Sequence, residues 1–141
     1  MPEGNYKRPV HFSDVSSEVW YEGTDREIHG RGLSDVGGPA QVGFGLLDLG
    51  PGSNTAPAHY HTLEEEHLYV IEGEALLHLG ENRFVLESGS YVCFPAGQPL
   101  GHYLENRSTE LCRYVIVGQR IADDEVVYPG VVSEPGSTHD Q

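Results

Sequence analysis

Between Gly52 and Gly73 the chain reads GSNTAPAHYHTLEEEHLYVIEG, which puts a His-x-His pair, a run of glutamates and an apolar strand into one short stretch. Alternate side chains of a strand share a face, so His59 and His61 present two imidazoles side by side while Tyr60 points the other way. That is a geometry for holding a metal ion. In the strand from Glu66 to Ile71, parity places Glu66, Leu68 and Val70 on one face and His67, Tyr69 and Ile71 on the other. If Leu68 and Val70 face a core, Glu66 faces it too, and a carboxylate there is costly to desolvate unless a cation accompanies it. Glu64 and Glu65 then form a solvated turn. Farther on, His102 and Leu104 share a strand face, which makes His102 the natural third nitrogen. His78 has no partner at ligand spacing and is read as an exposed or satisfied side chain.

The elements that must position these groups are short. Eighteen glycines and nine prolines are scattered through the chain, and the segments between them are rich in Val, Ile, Leu, Tyr and Phe, an all-β pattern. PVHFSDV reads as an edge strand and GRGLSDVGGPA as a loop. Ser13 to Glu22 and Arg120 to Glu125 are the places where a helical turn fits, neither long enough for a stable helix. In Gln41 to Leu49, Val42, Phe44 and Leu46 share one side, with Gly43 and Gly45 leaving room for a neighbouring backbone. EALLHLG and RFVLESG read as a hairpin, followed by strands at Ser90 to Phe94, from His102, and from Leu111 to Val117. An apolar patch at Val126 to Val132 precedes a polar, frayed end. With 141 residues the chain has the length of one domain. It divides into an N-terminal arm (about 1–40), a barrel (about 41–118) and a C-terminal tail (about 119–141).

Lys and Arg number 8 against 22 Asp and Glu, a formal net charge of −14. Such a surface repels phosphate backbones and anionic membranes, so neither nucleic acid nor a membrane is an expected partner. The N-terminal residues lack an apolar run of signal-peptide length, and no stretch of about 18 apolar residues occurs, so a soluble, cytoplasmic protein is expected. Cys93 and Cys112 are far apart without metal-type spacing and read as reduced thiols.

Two extended motifs resemble those of the cupins. The first, Gly, five residues, His-x-His, three or four residues, Glu, six residues, Gly, is met by Gly52, His59, His61, Glu66 and Gly73, with six residues after Gly52. The second, Gly, five residues, Pro-x-Gly, two residues, His, three residues, Asn, is met by Gly89, Pro95, Gly97, His102 and Asn106, with four residues between Gly97 and His102. The resemblance implies a double-stranded β-helix, a small jelly-roll barrel, enclosing a divalent metal held by His59, His61, Glu66 and His102. Three nitrogens and one oxygen leave positions open on iron, manganese, nickel, cobalt or zinc, where a small molecule can bind.

The activity implied is that of a metal-dependent oxygenase, isomerase or lyase acting on a small oxygen-rich molecule, a sugar phosphate among the options. The alternative is a non-catalytic cupin that binds or senses a sugar or carboxylate. Parity turns Tyr60, His67, Tyr69 and Tyr103 away from the ligands, so a general base is scarce unless a bulge redirects Glu65 or Tyr69. Arg113 and Tyr114 compete for the barrel side of the last strand and are the candidate substrate-binding residues; an inward Arg113 suits an anionic substrate. A homodimer is expected from the same resemblance, with the N-terminal arm able to add a strand to a neighbour.

Overall fold

A computed structural model describes residues 6–130. The polar end expected at the C-terminus lies outside the described residues, as do Val131 and Val132. Between short turns the chain forms β1 (Glu18–Trp20), β2 (Ile28–Gly32), β3 (Val42–Leu49), β4 (Tyr60–His61), β5 (Glu66–Glu72), β6 (Glu74–Leu79), β7 (Asn82–Glu87), β8 (Tyr91–Phe94), β9 (His102–Glu105), β10 (Cys112–Gln119) and β11 (Val126–Val127). The fold is the expected all-β jelly roll. One sheet runs β1-β2-β3-β10-β5-β8 with every neighbouring pair antiparallel. The opposing layer contains β7-β6-β9 and the β11-β4 pair. A backbone bridge between His59 and His102 joins these two groups, with the His102 amide donating to the His59 carbonyl at 3.0 Å.

Strand periodicity turns one side chain in two toward the space between the layers. Leu49, Val70 and Cys112 come from the larger sheet and Leu77 and Leu104 from the smaller, all buried in one core. In β3 the inward side is Leu47 and Leu49, because Leu47 stands opposite the buried Tyr114. Val42 and Phe44 lie on the outer side and are exposed. The smaller sheet turns on a two-residue loop between β6 and β7, where Gly80 takes a φ of 59°, the backbone that tight hairpins require.

Two local expectations change. The proposed edge strand PVHFSDV contains a short 3-10 turn, Phe12–Asp14, instead, because the His11 ring accepts a hydrogen bond from the Ser13 amide and starts a turn. The segment read as a glycine-rich loop begins within β2, and β1 and β2 of the expected arm extend the larger sheet. Within the expected tail, Val126 and Val127 pair with His61 and Tyr60.

Asn106, the last landmark of the second motif, is fully buried and ties three segments together. Its Nδ2 donates to the carbonyls of Leu49 (2.8 Å) and Glu110 (2.9 Å), and its Oδ1 accepts from the Ser108 amide and hydroxyl. Such a residue, with every polar atom satisfied inside the protein, fixes where β9 ends.

Gly73 joins β5 to β6 with a φ of 76°, and a Cβ there would run into the Leu111 carbonyl oxygen. Gly89 has a similar φ of 93° but open space around it. Gly73→Ala is therefore expected to lose about 3 kcal/mol from backbone strain and overlap together. Gly89→Ala should lose about 1 kcal/mol from strain alone. Urea unfolding of the two variants checks the difference.

Candidate metal centre and cavity

His59 and His61 leave the turn region on the short β4 edge, Glu66 opens β5, and His102 opens β9. The layered fold brings the four to one place. Glu66 Oε1 lies 3.4 Å from His61 Nε2 and 3.6 Å from His102 Nε2. Ligand atoms of His59, Glu66 and His102 all fall within 4.8 Å of one another. The His59 ring centroid is 4.8 Å from that of His102 and 5.5 Å from that of His61. Two donors on an ion at ordinary bond lengths are roughly 3.0 to 3.4 Å apart, depending on the coordination angle. His59, Glu66 and His102 thus form a candidate cation-binding group, which His61 approaches through Glu66.

Each imidazole is held from behind. His102 is buried and stacked on Phe94, with ring centroids 3.6 Å apart and planes 5° from parallel. His59 Nδ1 lies 3.3 Å from the Pro57 carbonyl, which can only accept, so that nitrogen carries the proton and Nε2 keeps its lone pair. His61 Nδ1 is 2.7 Å from Asp124 Oδ2, an orienting carboxylate of the kind that fixes tautomer and raises ligand basicity. Asp124 is itself held, its Oδ1 accepting from the amides of Leu63 and Glu64, both at 2.9 Å.

Burial pushes the His59 imidazole below its ordinary value, and the neighbouring His102 adds to the effect, so His59 favours the neutral, ligating form. For Glu66 burial acts upward but is outweighed by the His102 hydrogen bond and by the His61, His102 and His59 charges, which hold the carboxyl below its usual range. Gly118 stands opposite Glu66 on β10, and a Cβ there would come into van der Waals contact with Glu66 Cγ at 3.4 Å.

His59, Glu66 and His102 form part of the wall of a cavity of about 310 Å³, which His61 does not line. Leu68, Phe94, Leu104, Tyr114 and Ile116 supply much of the remaining lining, and Trp20, Tyr21 and Arg26 form its exposed end. Of the two candidate substrate-binding residues, only Tyr114 lines the cavity. Burial raises its phenol above the tyrosine range, with Cys112 and then Glu66 adding to the shift, so it stays protonated. Arg113 points to the opposite face of the sheet. Its Nε and Nη2 donate to Asp48 at 2.7 and 3.0 Å, and its guanidinium lies over the Phe12 ring. That correction follows from strand parity, since Arg113 pairs with Asp48 and Tyr114 with the inward Leu47.

The other histidines and acids also find places. His78 is satisfied by Glu105 at 2.9 Å and stacked on Tyr103, away from the metal group. His67 lies on the outer face with Glu65 at 2.7 Å and Tyr91 at 2.6 Å, and Tyr69 is exposed there. The register irregularity next to β5 falls between Arg113 and Tyr114 of β10, so neither Glu65 nor Tyr69 is redirected inward. Cys93 and Cys112 are both free thiols.

Three participants escaped sequence reading. Asp124 sits in an acidic run within an apparent tail, and nothing in its spacing links it to His61, 63 residues earlier. Trp20 and Arg26 belong to the arm. Their one local signal is Gly30, buried in β2, where a Cβ would lie 2.6 Å from the Trp20 ring and 2.5 Å from Leu47. A glycine there lets the indole lie against the sheet.

Residues 45–118 match the cupin domain family. Over 76 residues the chain is 33% identical to a quercetin 2,3-dioxygenase of Bacillus subtilis (strain 168), a match covering 53% of this chain and 23% of that protein. The chain thus spans about a quarter of the length of this curated relative. Among solved structures, it is similar to a cupin-superfamily sugar phosphate isomerase from Silicibacter pomeroyi, with a TM-score of 0.79 and 25% identity over 88% of this chain and 83% of that one. It is also similar to a polyketide cyclase from Streptomyces resistomycificus, with a TM-score of 0.76 and 23% identity over 92% and 90% of the two chains, a likeness of fold. The family match takes in more than half of the 141 residues, and the chain belongs to the cupin family.

Proposed function

We propose that this cupin binds a divalent metal through His59, His61, Glu66 and His102 and acts as a metal-dependent enzyme on a small molecule carrying oxygen donors. The observation that carries the reading is that His59, Glu66 and His102 cluster on the wall of a cavity otherwise dominated by apolar side chains, with His61 Nε2 reaching Glu66 at 3.4 Å. A bound ion would polarise ligand oxygens or support oxygen chemistry. Iron, manganese, nickel, cobalt and zinc all suit a site of three nitrogens and one oxygen.

The chain's own residues do the rest. Phe94 and the Pro57 carbonyl set the planes of His102 and His59, and Asp124 sets that of His61. The apolar walls exclude water and strengthen electrostatic interactions at the metal group. Tyr114, kept protonated by burial, can donate a hydrogen bond but cannot serve as a base.

Among the described residues that line the cavity, the remaining titratable groups are His59, Glu66, His102, Tyr21, Tyr103 and Arg26. This supports oxygenase or lyase chemistry, in which the metal activates the substrate. It gives less support to isomerisation, which needs a protein group to carry a proton between carbons. The same scarcity favours the second reading, a cupin that binds its ligand without turnover. Oxygen uptake or product formation by iron(II)-loaded protein, tested with catechols, enediols and hydroxy acids and lost in His61→Ala, supports the enzyme. Binding without turnover for every metal supports the second.

Wild-type protein is expected to bind one divalent ion per chain, and Glu66→Gln to lose it while remaining folded. Metal analysis after loading and dialysis, with circular dichroism, checks both; a wild-type chain that retains no metal overturns the proposal. Asp124→Asn should weaken zinc affinity about 10- to 100-fold without removing a ligand, as read by competition with a chromophoric chelator. Metal affinity should fall as pH drops through the imidazole range near about 6.5, because protons compete for the ligating nitrogens. His59, held below that range by burial, should keep its ligating nitrogen unprotonated to lower pH than an exposed imidazole would.

A further inference from the structure

Resting on the reading of this cavity as the ligand site, we infer that it selects a flat, largely apolar anion: oxygen donors at one end for the metal group, and a carboxylate at the other for Arg26. Arg31 and Arg113 share Asp48, Arg107 holds Glu105 and Arg120 holds Asp35. Arg26, like the exposed Arg8 and Arg83, has no carboxylate partner among the described residues, but of these three it alone lines the cavity. It is half-buried and lines the cavity. Its guanidinium is held over the Tyr21 ring, 4.3 Å from the centroid, and one of its five N–H groups is committed to the Ala56 carbonyl at 3.1 Å. A cation oriented in this way and still rich in donors is prepared for a bidentate anion.

The walls decide what lies between the two polar ends. Leu47, Leu68, Leu104, Ile116 and Phe94 offer a bound hydroxyl no partner, which leaves Asn54, Thr55, Tyr103 and Tyr114 among the few uncharged polar side chains of the lining, and each buried hydroxyl beyond their reach weakens binding. A sugar phosphate carries a hydroxyl on nearly every carbon and suits such walls poorly. A conjugated or aromatic body does suit them, and Trp20 and Tyr21 at the exposed end give it rings to pack against. The cavity of about 310 Å³ has room for one such molecule.

Trp20 is the single tryptophan of the chain, so its fluorescence reports occupancy of this cavity directly. The zinc-loaded full chain is titrated with caffeate, which has catechol oxygens at one end and a carboxylate at the other. Ethylcatechol, which lacks the carboxylate, and a pentose phosphate serve as comparisons, with calorimetry as a second readout. Caffeate is expected to quench Trp20 and to bind at least ten-fold more tightly than either. Arg26→Gln should bring caffeate down to the ethylcatechol affinity while zinc stoichiometry and ethylcatechol binding hold, and Arg26→Lys should restore part of the preference even if the glutamine variant folds poorly.

Tighter binding of the pentose phosphate, or equal caffeate affinity in wild type and both Arg26 variants, overturns the inference and leaves the metal reading standing if zinc is still bound. Arg26-dependent caffeate binding by protein that holds no zinc has the opposite meaning: the metal reading fails and the anion site stands.

Discussion

The structure depends on a carboxylate taken out of water. Glu66 lies inside the barrel, where desolvation disfavours its charge, yet its carboxyl is held below the ordinary range because His102, His61 and His59 surround it. The balance is local and short-ranged. Moving any of these imidazoles away by a few ångströms would leave a buried charge without its partners, a cost of several kcal/mol. The strands around the site are arranged to prevent that. Gly118 clears space opposite Glu66, Phe94 holds the plane of His102, and Asp124 holds His61 by its rear nitrogen.

Those supports come from parts of the chain that sequence separation keeps apart, so the site forms only when the topology is complete. The His59 to His102 bridge joins two segments that would otherwise be separate edges of the smaller layer. Asn106 fixes the end of β9 by holding Leu49 and Glu110 together. The Asp124 carboxylate then draws the last described segment across β4, where Val126 and Val127 pair beside the ligands. Closing such loops costs entropy before the contacts form, and the polar contacts at the site are part of what repays it.

Strand parity made the interior legible wherever a strand carried alternating apolar residues beside a polar one. Glu66 was placed by Leu68 and Val70, and His102 by Leu104, and both strands keep that parity. Parity failed to decide where both sides of a strand were plausible. In β10, Arg113 and Tyr114 could each face inward, and the choice came from cross-strand register: Asp48, outward on β3, captures Arg113 and leaves Tyr114 opposite Leu47. In β3, Val42, Phe44 and Leu46 were rightly grouped, but which side met the core depended on the same register. Asp124 and Arg26 were invisible for a different reason. A carboxylate that orients a distant imidazole, and a guanidinium left without a carboxylate, are facts about partners, and partners far along the chain leave no spacing to read. The first motif could therefore point to the proposed metal group without revealing Arg26 in the same cavity lining.

That other end matters because the chain's overall charge and its local charge work against each other. At −14 the molecule repels anions at long range, and a carboxylate approaching from solution meets an unfavourable field. At physiological ionic strength such fields are largely screened beyond about 8 Å, so what the ligand meets at the cavity is set by nearby groups. There the described lining provides one arginine without a carboxylate partner, aromatic rings at the entrance and apolar walls. Long-range repulsion slows the approach of every anion alike, whereas Arg26 rewards only one that can carry an apolar body past Trp20 and still present oxygen atoms to the histidines. Discrimination therefore arises inside the cavity, from how well a ligand meets Arg26, the histidine and glutamate group and the apolar walls together.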